Sequence, residues 1–321
     1  DMTLSVFTKH ARAMKYLALD WTALVKTGRS FEFLCKVHDG RDGAIKDGFP
    51  LLTTLGTTEG KNLTLPLHTT LASWEMPNFT SENVIITTHL DQVKQRLCVA
   101  NSRLPNTVIM LLDRGFYSEK IIKHLLKLNL HFIIHAKSNI NITVTDKKTG
   151  ANKKTKLKSL KAGYYEDVYL EHVGKKLTVG VYYEKDKKDN KYKKMLLVTD
   201  LKKQSKKELK EAYRHRWAIE EYFKELKEKY DVENFRVRSF KAIERLVKTV
   251  MVAQALFTDS LEQNTYWVEQ MRHIVMKCLD YGEALTKQGI SWFREITFRL
   301  AHFGRMDDFR LRLAQIQPIP T

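Results

Sequence analysis

Apolar and polar positions change their period several times along the chain. Residues 16–25 (YLALDWTALV) form a mostly apolar, β-prone run with one acid, Asp20, in its middle. Residues 49–58 and 62–70 are two further strand candidates, the first preceded by the turn-rich stretch 38–48, and the three together predict a meander. Residues 81–97 carry a helical pattern that starts at Ser81 and Glu82. The continuous apolar run 107–112 (TVIMLL) then reads as a buried central strand ending on Asp113. Ser118 caps a helix whose apolar residues Ile121, Ile122, Leu125 and Leu126 recur at helical spacing, and residues 131–136 return as a short strand. The order is β-β-β-α-β-α-β.

From residue 137 the pattern alternates. Residues 141–145, 164–171, 177–183 and 194–199 are rich in Thr, Val and Tyr and are separated by Lys, Gly and Asn turns, as in an antiparallel β insertion. From Ser205 the chain turns helical, with Leu209, Ala212, Ile219, Phe223 and Leu226 on one face, and stays mainly helical to Leu313. This predicts an α/β protein with a mixed sheet flanked by helices. A first core segment spans 1–136, a β-rich insertion 137–200, a second core segment 201–260 and a C-terminal helical region 261–321.

Composition narrows the class. In 321 residues, 43% hydrophobic residues with only 6 Pro and 14 Gly suffice for a sizeable core and exclude global disorder. No apolar run reaches the roughly 18–20 residues of a membrane span, and residues 1–15 lack a signal-peptide core. Three cysteines, Cys35, Cys98 and Cys278, have no metal spacing and read as buried thiols in a reducing cytoplasm. Lys and Arg number 55 against 37 Asp and Glu, a net charge of +18. Such a balance favours a polyanionic partner. Residues 147–161 hold seven Lys and no acid, so the excess concentrates in the insertion. Its bland reading is a set of solvated loops; its functional reading is a phosphate-tracking surface.

The candidate chemistry lies in acids within apolar context. An acid in a buried strand is costly unless paired, hydrogen-bonded or bound to a metal, and both Asp20 and Asp113 are so placed. On neighbouring strands they would converge and favour a divalent cation. The stretch AYRHRWAIEEYFKELK supplies a third acid, Glu220. On a continuous helix Arg216 lies about 40° from it, with Tyr213 and Lys227 about 20° away. One acid, two cations and a phenol thus share a stripe bordering the apolar face. An ordinary salt-bridged helix face is the alternative.

The spacing Tyr213, Arg216, Glu220, Lys227 resembles the YREK signature of the IS4-type transposases, and Asp20 in LALDWT and Asp113 in LLDRGF resemble that family's two aspartate blocks. The resemblance covers roughly residues 15–257. It implies an RNase H-like fold with a catalytic triad of Asp20, Asp113 and Glu220 holding two Mg²⁺ ions, Mn²⁺ being able to substitute. It also implies that Tyr213, Arg216 and Lys227 contact DNA phosphates. Trp217 is a candidate for stacking on an unpaired base, with a core position as the alternative. Asp113 and Glu220 are 107 positions apart, and the β-rich segment 137–199 fills that gap as the insertion domain does in this family.

The implied activity is cut-and-paste transposition on double-stranded DNA, both transposon ends and target, by a protein that dimerises on DNA in the bacterial nucleoid. Rival readings are a nuclease without strand transfer and a catalytically silent DNA-binding descendant. Only 19 residues precede Asp20, where relatives carry an N-terminal end-binding domain. The C-terminal arginines, Arg294 among them, are candidates for DNA contact, a dimer surface or a plain helical cap. Residues 56–62 (GTTEGKN) fail as a phosphate loop, because the glycine spacing is one short and no Ser or Thr follows Lys61. His131 and His135, four apart on a strand, read as poor metal candidates.

Overall fold

The computed structural model describes residues 2–28, 30–58, 63–145, 150–185 and 192–263. Asp1–Thr258 form one compact unit, and a second unit is Asp259–Thr321. The expected 261–321 helices, their arginines and Cys278 lie almost wholly outside the described residues.

The chain opens with helix α1 (Met2–His10), followed by strands β1 (Met14–Val25), β2 (Cys35–His38), β3 (Ile45–Thr58) and β4 (Thr64–Leu71). Helix α2 (Glu82–Ala100), strand β5 (Ile109–Leu112), helix α3 (Glu119–Lys127) and strand β6 (His131–His135) come next. Strands β7 (Asn141–Thr145), β8 (Asn152–Lys156), β9 (Gly163–Leu170), β10 (Lys175–Lys185) and β11 (Tyr192–Thr199) precede helices α4 (Lys206–Arg214), α5 (Ala218–Glu228) and α6 (Phe240–Gln263).

All eleven strands join one sheet in the order β2-β3-β1-β5-β6-β11-β10-β9-β7-β8, with β4 also on β3. The long β1 pairs antiparallel with β3 along most of its length. On its other edge β1 pairs with β5, parallel and only from Tyr16 to Leu19. Strand β6 is parallel to β5. The chain from β7 to β11 then extends the same sheet, because β11 pairs antiparallel with β6.

Alternation along the central strands decides which helices cover which face. Leu17, Leu19, Met110, Leu112, Phe132 and Ile134 belong to the core that α1, α2 and α3 cover. Their neighbours of opposite parity face the later helices: Ala18 packs with α5 and α6 residues, and Tyr16, Leu111 and Ile133 pack with Leu209, Ala212 and Tyr213 of α4. Gly180 permits that close approach, since a Cβ there would lie 2.7 Å from Leu209 Cδ2. A serine cap fixes the start of α4. Ser205 accepts from the Glu208 amide at 3.1 Å while Glu208 accepts from the Ser205 amide at 2.6 Å, a reciprocal cap contributing about 1 kcal/mol.

The structure departs from the sequence reading in several places. Helix α1 and strands β2 and β8 are additional elements. The helix expected to run unbroken from Ser205 is interrupted by a tighter 3₁₀ turn at His215–Trp217. Cys35 is buried, but Cys98 is exposed, because it follows core-facing Leu97 and is turned toward solvent. Among the described residues no helix is long and apolar enough to cross a membrane.

Candidate active site

The register of the central strands brings the acids together. Leu19 pairs with Leu112, and Leu112 with Ile134. One step further along, where the parallel pairing ends, Asp20, Asp113 and His135 therefore stand side by side: Asp20 midway along β1, Asp113 just after β5 and His135 as the last residue of β6. Each shares parity with a residue packed against α4 or α5: Ala18, Leu111 and Ile133 respectively. All three thus lie on the face those helices cover. Carboxyl ends of adjacent parallel strands are where α/β sheets place their ligands. Because β5 stops here while β1 runs on to Val25, residues 20–23 border a cleft of about 810 Å³.

Glu220 reaches this place from the first turn of α5. Arg216, in the 3₁₀ turn, stands between the carboxylates: Nη2 donates to Glu220 Oε1 at 2.5 Å and Nη1 to Asp20 Oδ2 at 3.3 Å. Its side chain is only 15% exposed. Asp20 Oδ1 also accepts from the Trp21 amide at 2.8 Å. Burial raises the Asp20 pKa to about 6; the Trp21 amide and Arg216 pull it down, and Asp113 and Glu220 push it up. Asp20 therefore senses Asp113 and Glu220 as like charges. Asp113 is about half exposed, and His135 Nδ1 lies 4.0 Å from its Oδ1. Burial lowers the His135 pKa, and Asp113 counters that shift.

The remaining expected residues are spread around this centre. Tyr213 is buried, with its hydroxyl donating to the Leu112 carbonyl at 3.3 Å, so it braces β5 just before Asp113. Arg216 Cζ lies 5.9 Å from the Tyr213 ring centroid. Trp217 is 60% exposed, which sets aside a core role. Lys227 lines the cleft with its Nζ 3.6 Å from Glu233 Oε1, and burial lowers its pKa. Glu233 is held in turn by the Val25 amide at 3.0 Å and by Arg41 at 2.9 Å. Arg41 also clamps the fully buried Asp39, whose carboxyl is thereby kept well below the usual range. This ion-pair cluster ties the β2–β3 hairpin to the chain after α5 and forms the far end of the cleft.

Among the described residues no three His, Cys, Asp or Glu side chains close tightly enough to hold a metal ion as they stand. The donor set nevertheless suits a hard divalent cation, being all carboxylate oxygen. The raised pKa of Asp20 marks a place where added positive charge stabilises the ionised form, and Arg216 supplies part of it.

His135 is the residue that sequence reasoning set aside. The available signal was its place two positions after inward-facing Ile133, at the end of a strand following the Asp113 strand.

Among solved structures, an X-ray crystal structure of Marinitoga piezophila Argonaute in complex with 5′ OH guide RNA and target DNA matches at 12% identity. It covers 61% of this chain and 24% of that one, with a TM-score of 0.27. No curated protein matches. A family model described as transposase DDE domain matches residues 79–256, a span that contains Asp113 and Glu220 and begins after Asp20. The match extends over more than half of the 321 residues, and the chain belongs to the transposase DDE domain family.

Proposed function

We propose that this protein is an IS4-type DNA transposase that cuts at transposon ends and joins them to target DNA, with Asp20, Asp113 and Glu220 as its catalytic carboxylates. The observation carrying the reading is the alignment of Asp20, midway along β1, with Asp113 at the end of the adjacent parallel β5, and Glu220 opposite, joined to Asp20 through one arginine. Three antiparallel strands followed by two parallel ones, in the order β4-β3-β1-β5-β6, support an RNase H-like core formed by 1–136 and 201–260. On this reading residues 137–200 are an insertion that elongates the core sheet.

The three carboxylates would hold Mg²⁺, with Mn²⁺ able to substitute. When bound, the metal lowers the pKa of a water or hydroxyl nucleophile and stabilises charge on the phosphoryl oxygens. The protein's own part is positioning and charge. Arg216 offsets part of the charge of Asp20 and Glu220 in the DNA-free chain. A phosphodiester offers the same forked guanidinium an equally good bidentate partner, so DNA draws Arg216 off the acids. Tyr213 holds the β5 end in register beneath that exchange. Lys227 faces the strand lying in the cleft, and exposed Trp217 stacks on an unpaired base. The lysines of 147–161 track the backbone away from the cut. Cleavage of paired ends calls for a dimer on DNA.

The test is incubation with duplex carrying the element's terminal repeats, target plasmid and Mg²⁺. Cleavage and joining together support the reading. Cleavage alone makes the protein a nuclease, and binding without either makes it a silent DNA-binding module.

A further inference from the structure

We infer that His135 is a nitrogen ligand of the metal held by Asp113, so that the site favours Mn²⁺ over Mg²⁺. The inference rests on the carboxylate site proposed above. It starts from the parallel pairing of β5 with β6, which sets Ile134 beside Leu112 and carries His135 level with Asp113. Parity then turns both side chains to one face. The separation of 4.0 Å between His135 Nδ1 and Asp113 Oδ1 is too long for a hydrogen bond. Two neighbouring ligands with bonds of about 2.1 Å stand roughly 3.0 to 3.4 Å apart on one ion, so a shift of about half an ångström to an ångström in either side chain brings the pair onto a shared ion.

The surroundings suit such a role. The His135 side chain is 25% exposed, so an ion can reach it. Tyr213 meets its ring edge-on at 6.5 Å between centroids and limits its rotation. Among the described residues no hydrogen bond holds the ring, unlike His131, whose Nδ1 is bound to Asp200 at 2.7 Å. One imidazole among carboxylates shifts a site from ions that accept oxygen alone toward transition ions that also accept nitrogen.

Pulsed electron paramagnetic resonance on Mn²⁺ added to protein carrying ¹⁵N-labelled histidine tests this directly. The expected result is a ¹⁵N coupling to the bound Mn²⁺ that disappears in His135→Gln. In that variant Mn²⁺ affinity should fall about tenfold while Mg²⁺ affinity changes little. The idea is overturned if Mn²⁺ binding depends on Asp113, as judged with Asp113→Asn, yet shows no histidine coupling. It is equally overturned if the coupling survives in His135→Gln. If Mn²⁺ binding is unaffected by both Asp20→Asn and Asp113→Asn, the carboxylate site itself fails and the histidine assignment with it. A wild-type spectrum with no histidine coupling overturns the idea by itself, and His135→Asn carries the assignment where His135→Gln does not fold.

Discussion

The cleft beside Asp20 and the strand excursion from β7 to β11 carry opposite charge. Six carboxylates and four Lys or Arg line the cleft, within a chain whose net charge is +18. In the excursion, β8 reads NKKTK, with Lys153, Lys154 and Lys156 all exposed. The difference separates two tasks that a single net charge hides. A basic surface raises the local concentration of a polyanion and follows its backbone. An acidic cleft receives a phosphate poorly unless cations stand between, and on the proposed reading Arg216 and a metal held by the carboxylates would join the cleft's own Lys and Arg in that part.

Four changes would break or sharpen that contrast. Glu220→Gln should lower cleavage roughly a thousandfold or more, as loss of a metal-binding or charge-stabilising group does, while DNA affinity in a gel-shift assay stays level or rises. Full activity in that variant would overturn the site assignment. Reversing Lys153, Lys154 and Lys156 to Glu should do the opposite. DNA affinity should drop at least about tenfold, and the salt dependence should flatten by about one phosphate per lysine, with cleavage at saturating DNA little changed.

The third change concerns Asp20. Its pKa, raised from 3.8 to about 6 by burial, means that the folded protein binds more protons than the unfolded chain between those values. Stability therefore falls as pH rises through that window. Asp20→Asn should raise stability at pH 7 without divalent metal by roughly 1–3 kcal/mol, and the gain should vanish below pH 4. A melting curve with no gain at pH 7 would count against a strained Asp20. The smallest effect is Ser205→Ala, which removes the α4 cap and should cost about 1 kcal/mol, seen as a drop of a few degrees in melting temperature.

How far the sequence could be read follows the same division. The acids Asp20 and Asp113 were visible because each interrupts or ends an apolar run, and strands β1, β3, β5 and β6 because their runs are apolar for reasons of burial. Strand β8 had no such signal: its lysines fit any exposed segment, and it is a strand only because β7 pairs with it. Strand β2, CKVH, is too short to show a period. His135 could not be read as a neighbour of Asp113 without the register of β5 on β6, which is a tertiary fact. The 3₁₀ turn at His215–Trp217 was equally hidden, since nothing in HRW forbids an α-helix. It changes the wheel on which Arg216 and Glu220 were first related, yet keeps them four residues apart and in contact.

The link between Arg216 and Asp20 closes a loop of 196 residues. Closing so long a loop requires nearly the whole sheet to be in place first. During synthesis Asp20 and Asp113 leave the ribosome long before Glu220. A chain that stalls or is clipped within the β7–β11 excursion therefore holds two of the acids and not the third. On the proposed reading of the three acids, such a product lacks one of the catalytic groups by topology alone, before any inhibitor acts.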